Sequence, residues 1–316
     1  MTTPTIQPVA VVILNYRASA FVRTCLASFE RHRPPGYRYH YIVVDASGAE
    51  SEARNLRALP REFGFASEEI PETKCDRGTA GKAIPDLILC VTSENQGYSK
   101  GNNLGARIAL RTGSSHLLIA NPDIELLDAT SVPRLLAALR GIPKAVCAFP
   151  TVVGLDGKTT GNHQGPFERE SNLQLFIGPS LFDPVDRWVG RVSRRISAWR
   201  YRAFGAYRIY TSLGCFFAAD AKRFAALGMF DEDFFLYCEE SAFGEKVRRN
   251  GGVNLFVPSA RILHKHEYVD SPVHLEHYLR SVSLYRERYL KRTPRFNALV
   301  SRRNKMIAFL KGRVRE

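Results

Sequence analysis

Carboxylates stand at three places in this chain where they could do chemistry. The apolar run Leu117-Leu118-Ile119-Ala120 gives way to Asn121-Pro122-Asp123. Pro122 has no N–H and a fixed φ, so a strand reaching it must stop there. Asp123 is then left at the strand's carboxyl end, where open α/β sheets bind ligands. A carboxylate so placed can hold a divalent cation, and the cation can hold a phosphate. Asn, Pro and Asp are also ordinary turn residues, and this stretch alone leaves both readings open. The run His40-Tyr41-Ile42-Val43-Val44 likewise ends in a carboxylate, Asp45. The third place, Met229–Glu240, sets Asp231, Glu232, Asp233, Glu239 and Glu240 among Phe230, Phe234, Phe235 and Tyr237. A carboxyl in apolar company is pushed up in pKa and can serve as a base. His264 and His266 follow downstream. A single His is usually a plain polar residue, but two after a strand and behind an acidic cluster suit metal ligation.

Positioning these groups needs a sheet. Val9–Leu14 is a continuous apolar run, so a buried strand, and it ends at Asn15-Tyr16-Arg17. A helix capped by Ser19 follows, with Phe21, Val22, Cys25, Leu26 and Phe29 along one face. The strand over 40–44 then completes a βαβ unit, hence a parallel sheet with a right-handed crossover. Residues 50–63 read as a helix, 66–86 as a loop and 87–91 as a third strand. Glycines at 97, 101 and 105 predict a turn leading into a helix over 102–110, whose N-terminus can receive a phosphate or ribose. Neither the dinucleotide GxGxxG spacing nor a Walker lysine is present. Further on, 132–139 reads as a helix, 145–149 as a strand, 151–164 as a loop or hairpin and 221–227 as a helix stopped by Gly228. A helix over 241–250, a last strand over 253–258 and a charged helix over 274–290 complete the pattern.

Composition limits the partners. The 316 residues carry a formal charge of +14, with 45% hydrophobic and 24% charged residues. That is the make-up of a globular protein with an anionic partner. Six scattered cysteines with no CxxC pair read as reduced thiols. No signal peptide follows the short polar start, and no apolar run approaches the roughly 20 residues of a membrane span. The expectation is a cytoplasmic protein, peripheral on the inner membrane's cytoplasmic face. Two segments would suit an anionic membrane surface. Seven arginines between Arg187 and Arg208 are interleaved with Trp188, Trp199, Tyr201, Phe204 and Tyr207, and nine Lys and Arg lie between Lys291 and Arg315 beside a helical apolar repeat from Phe296 to Val314. A solvated basic loop and a helix packed on its own domain explain them as well. Nucleic acid is not expected, because no nucleic-acid motif appears.

Taken together, six segments resemble the family 2 glycosyltransferases of GT-A fold, and within them the bacterial rhamnosyltransferase-like branch. They are 11–16, 43–47, 95–105, 121–123, 214–217 and 230–240. With the flanking strands and His264 the resemblance spans about residues 9 to 267. It implies an α/β fold, a mostly parallel sheet flanked by helices. It also implies a donor-binding half over about 9–125, an acceptor and catalytic half over about 126–267, and a basic helical extension over 268–316. Asp45, beside Asn15, corresponds to the residue that binds the donor nucleoside; Asn95, Gly97, Lys100, Asn102 and Asn121 fall in donor-binding segments. Asp123 matches the metal-binding Asp-x-Asp motif and His264 the metal-binding histidine, for Mg2+ or Mn2+. Glu240, with Glu239, falls where the family places its catalytic base. The implied reaction is inverting transfer of a sugar from a dTDP- or UDP-linked donor to a saccharide or lipid-diphosphate-linked acceptor in cell-surface polysaccharide synthesis; the branch points to dTDP-rhamnose. Asn121 replaces the motif's first carboxylate, Glu240 the usual Asp and Ala242 a later Asp. A catalytically weak nucleotide-sugar-binding protein of the same fold is the alternative these departures suggest.

Overall fold

The apolar runs become the interior strands of one sheet. The computed structural model describes residues 7–75, 83–160, 205–265 and 272–291, with 293, 295, 298 and 302 beyond them. Among these, the first half of the chain runs β1 (Gln7–Asn15), α1 (Ser19–Arg31), β2 (Tyr37–Asp45), α2 (Glu50–Phe63), β3 (Ser67–Pro71), β4 (Leu87–Val91), α3 (Gly97–Arg111) and β5 (His116–Ala120). It continues through β6 (Ile124–Leu126), α4 (Ser131–Gly141), β7 (Ala145–Val153), β8 (Thr159–Thr160), β9 (Tyr207–Ile209) and β10 (Phe216–Asp220). Last come α5 (Ala221–Ala226), α6 (Glu239–Arg249), β11 (Val253–His264) and α7 (Pro272–Arg288).

Among the described residues eleven strands form the sheet, in the order β3-β4-β2-β1-β5-β10-β7-β11-β6, with β8 on β7 and β9 on β11. From β3 to β5 every pairing is parallel. Beyond them β10 runs antiparallel between β5 and β7, and β11 returns parallel to β7. Alternate residues of β1 serve opposite faces. Val9, Val11 and Ile13 pack with α1, α2 and α4, whereas Ala10 and Val12 pack with α3, α5 and α6. Helices therefore cover both faces, which is why the central strands are apolar throughout.

The structure corrects four local expectations. α1 begins at Ser19, but Ala18 is its N-cap and no side chain caps it; the Ser19 N–H instead donates to Glu52 Oε2 at 2.9 Å. The stretch 66–86 is not all loop, since β3 joins the sheet edge and a 3-10 turn follows it. The last strand extends to His264, well past Pro258. α3 starts at Gly97 and not at Asn102, so Gly101 lies inside the helix with Gly105 and not in the turn before it. A Cβ at Gly101 would sit 2.4 Å from Leu14 Cδ1, and one at Gly105 2.3 Å from Val12 Cγ1. Their spacing of four puts both on the helix face that lies against β1. Gly105→Ala is accordingly expected to cost ~1–3 kcal/mol through overpacking, read as a lower thermal unfolding midpoint; an unchanged midpoint would contradict this packing.

The hairpin expected after Thr151 is formed by β7 and β8. Of the arginine–aromatic segment only its end is described, and there Tyr207–Ile209 pairs with β11 as a sheet strand, with Ile209 and Tyr210 buried. The remainder of that segment, His266 and the C-terminal amphipathic repeat lie outside the described residues. No helix among the described residues is long and apolar enough to cross a membrane.

Candidate active site

The carboxyl ends of β1 and β2 are in register, Asn15 opposite Asp45. Both are fully buried. Asn15 Nδ2 donates to Asp45 Oδ1 at 2.9 Å, and the Ser47 N–H and hydroxyl donate to the same oxygen at 3.1 and 2.6 Å. Asp45 Oδ2 has no hydrogen-bond partner within the described chain. A buried carboxylate oxygen without a donor is costly, and a ligand N–H or O–H could supply one here. Glu52, in the first turn of α2, also accepts from Asn15 Nδ2 at 3.3 Å; it joins the cluster although nothing in its local sequence marked it.

The Asn121-Pro122-Asp123 turn follows β5. The Asn121 N–H donates to the Cys215 carbonyl at 2.8 Å, which fixes the turn beside the start of β10. β6 runs antiparallel to β11 with His264 opposite Ile124, and the Lys265 N–H donates to the Asp123 carbonyl at 2.9 Å. This ribbon brings two residues 141 positions apart to 3.3 Å, His264 Nε2 to Asp123 Oδ1. One ion with ligand bonds of about 2.1 Å could be shared by both atoms. No group of three such ligands occurs among the described residues. A cation held by this pair would take its other ligands from substrate phosphates and water.

Glu239 and Glu240 open α6. The two residues before them, Tyr237 and Cys238, both have left-handed backbones at φ +71° and +66°. Two consecutive non-glycine residues in that region are strained, and surrounding contacts hold them there. Asn103 of α3 donates to the Phe230 carbonyl and to Glu232 and accepts from the Phe230 N–H, each at 3.0 Å. The Tyr98 N–H donates to the Phe235 carbonyl at 2.7 Å. Gly97, at φ +85°, makes that approach possible, since a Cβ there would lie 2.4 Å from the Phe235 oxygen. Ser281 of α7 donates to the Leu236 carbonyl at 2.7 Å.

Glu240 is partly buried, and the Gly214 N–H and its own N–H donate to its carboxylate. Desolvation outweighs those donors and pushes it up to about 7. Glu239 is buried, with Oε2 lacking a partner among the described residues, and desolvation followed by the neighbouring Glu240 raises it well above the carboxylate range. A carboxyl raised on folding contributes stability that is complete below its unfolded pKa, near 4.5, and is lost as pH rises through the folded value. Glu239→Gln removes that loss. The variant is expected to be more stable than the parent at pH 8, with the gap closing toward pH 5, in thermal melts at both pH values. A pH-independent gap would contradict the raised state of Glu239.

These parts share one end of the sheet. The buried Cys215 thiol is raised by desolvation and then by both Asp123 and Glu240. A cavity of about 410 Å3 opens beside them, walled by the ends of β1 and β2, the start of α3, the Asn121-Pro122 turn, Phe235-Leu236 and α7. Of the expected donor residues, Asn95, Gly97 and Asn121 line it; Asn15 and Asp45 lie next to lining residues Leu14, Tyr16 and Ala46. Lys100 is exposed and Asn102 is buried in α3 with its Nδ2 on the Tyr98 carbonyl at 3.0 Å; neither lines the cavity. α7 packs through Tyr285 with Phe234 and Ala242, so the segment assigned to an extension beyond 267 forms part of the site wall. Sequence reading missed Tyr98, Asn103 and α7. A polar doublet, Asn102-Asn103, in the middle of an apolar helical face was the signal available for the second.

No protein-family profile matches the chain. Two curated relatives, both named N-acetylglucosaminyl-diphospho-decaprenol L-rhamnosyltransferase, from Mycobacterium tuberculosis strains CDC 1551 / Oshkosh and ATCC 25618 / H37Rv, are 26% identical over 199 residues. The match spans 59% of this chain and 62% of theirs. Among solved structures, GalNAc-T7 with UDP, GalNAc and Mn2+ superposes at TM-score 0.58 with 15% identity, over 91% of this chain and 49% of that one. The mannosyltransferase PcManGT of Pyrobaculum calidifontis with GDP-Man and Mn2+ gives 0.56 at 12% identity, over 94% and 69%. S. aureus TarS 1-349 with UDP gives 0.51 at 11% identity, over 93% and 70%. The chain has the GT-A fold of these glycosyltransferases, and in sequence it is similar to an L-rhamnosyltransferase.

Proposed function

We propose that this chain is an inverting, metal-dependent glycosyltransferase that moves rhamnose from dTDP-rhamnose to a lipid-diphosphate-linked saccharide in cell-surface polysaccharide synthesis. The observation that carries the reading is that the 3.3 Å Asp123–His264 pair and Glu240, raised to about 7, both lie near Cys215, and that their neighbours Asn121, Pro122 and Tyr98 line one cavity. Glu240 takes the proton of an acceptor hydroxyl. The oxygen attacks the anomeric carbon from the face opposite the nucleoside diphosphate, forming the new C–O bond as the old one breaks. Asp45 and Asn15 hold the nucleoside end, with Asp45 Oδ2 as the acceptor. Asp123 and His264 would hold Mg2+ or Mn2+, which neutralises the departing diphosphate. The sugar and acceptor are suggested by the names of the relatives, and a nucleotide-sugar donor by the UDP and GDP-Man complexes of the neighbours. The charge of +14 suits a diphosphate-bearing acceptor at an anionic membrane surface.

The test is calorimetric titration of dTDP and of UDP, each with and without Mg2+ or Mn2+, into the parent and Asp123→Ala. Metal-dependent binding of one nucleotide, lost in the variant, is the expected result. Binding of neither nucleotide under any metal would overturn the reading.

A further inference from the structure

The motif-matched core ends at β11, yet α7 closes one side of the cavity with Val273, His274 and His277. Its seating on the acidic loop is continuous. His277 stacks on Phe235 with ring centroids 4.9 Å apart and planes at 18°, and Tyr237 lies edge-on between His274 and Tyr278 at 6.4 and 5.9 Å. Ser281 holds the Leu236 carbonyl, and Arg288 and Tyr289 both reach Asp231 Oδ2 at 2.7 Å. Tyr285 and Tyr210 share a 2.7 Å hydrogen bond beside the buried Glu245. A helix fixed at this many points presents its side chains in set positions and not as a mobile flap.

Most of the cavity wall is already committed or apolar. Leu14, Ala46, Pro122, Phe235, Leu236 and Val273 offer no side-chain hydrogen bond. Asn95 Oδ1 accepts from the Gly97 N–H and Tyr98 donates its hydroxyl to the Gly214 carbonyl, so the polar side chains of the wall are the Asn95 and Asn121 amides, Tyr16 and the two histidines of α7. A polyhydroxylated ligand in such a wall needs polar partners, because each desolvated hydroxyl or phosphate left unpaired costs affinity. The imidazole of His277 borders the cavity with one face on Phe235, which leaves its two ring nitrogens on the ring edge as the polar part.

Resting on the nucleotide-sugar reading above, we propose that His277, with His274 one turn before it, is a donor-binding residue: α7 hydrogen-bonds the nucleotide-sugar inside the cavity. The test compares the parent with His277→Phe, which keeps an aromatic ring on Phe235 and removes both nitrogens, and His277→Gln, which keeps hydrogen bonding without the stack. Each is titrated with dTDP and dTDP-rhamnose and with UDP and UDP-GlcNAc, with Mg2+ present, and thermal midpoints are recorded. His277→Phe is expected to keep its midpoint and to weaken donor binding roughly three- to tenfold, the value of one hydrogen bond, with partial recovery in His277→Gln. Weakening confined to the nucleotide-sugar places the contact on the sugar; equal weakening of the free nucleotide places it on the nucleoside diphosphate. Unchanged affinity for every ligand that the parent binds overturns the role of His277 and leaves the transferase reading standing. A parent that binds none of them overturns both.

Discussion

Glu240→Gln is expected to abolish transfer and to leave nucleotide binding intact. General-base catalysis contributes about 10²–10⁴-fold, so turnover with saturating donor is expected to fall by at least a hundredfold. Gln fills the same space and can still accept from the Gly214 N–H through its amide oxygen, so the local fold survives the change. The parent's pH profile carries the same information. Desolvation raises Glu240 to about 7, and only the ionised form takes a proton. The rate should therefore rise about tenfold per pH unit below that value and level off above it. Initial rates from pH 5.5 to 9, with dTDP affinity measured alongside, check both points. A Gln variant that loses nucleotide binding in parallel with turnover would remove Glu240 from the role of base.

The strand ends were legible because chemistry and local structure coincide there. An apolar run stopped by Pro122, or by Asp45, says both where the strand ends and which carboxylate the sheet offers. The acidic loop was legible as a candidate base for a similar reason, since carboxyls among Phe234, Phe235 and Tyr237 must be desolvated to some degree. Long-range pairing was not legible. The extension of β11 to His264 depends on β6 and β7 lying beside it, and no local pattern around Pro258 states that. Gly101 misled for a physical reason, because a glycine chosen for close helix–strand approach looks in sequence like one chosen for a turn. α7 reads as a charged helix with little amphipathic pattern; its contribution to the cavity comes from tertiary contacts with Phe235 and Tyr237.

Gly214→Ala is the sharper test of how the proposed base is aimed. A Cβ at this position would lie 2.0 Å from Glu240 Oε1, 2.8 Å from its Cδ and 2.9 Å from the Tyr98 hydroxyl oxygen. The backbone is not in the left-handed region, so alanine can adopt it, and the closest clash falls on the end of a flexible side chain, with the Tyr98 hydroxyl only just inside contact distance. The carboxylate yields at little cost in stability, unlike Val12 and Leu14 facing Gly105 and Gly101 from within the sheet. Displacing a catalytic group by about an ångström costs roughly a hundredfold in rate. Gly214→Ala is thus expected to lose activity on that scale with a small change in melting temperature, the reverse of Gly105→Ala. The family resemblance supplies a second arm, because an Asp usually stands where this chain has Glu240. Shortening the side chain by one methylene in Gly214→Ala/Glu240→Asp vacates the space that the new methyl needs. The double variant should recover activity relative to Gly214→Ala alone, a coupling between the two sites that a double-mutant cycle on initial rates measures. Additive losses would mean that Gly214 serves the fold and not the carboxylate; a positive coupling would explain why a chain with Glu at 240 has room for nothing larger than glycine at 214.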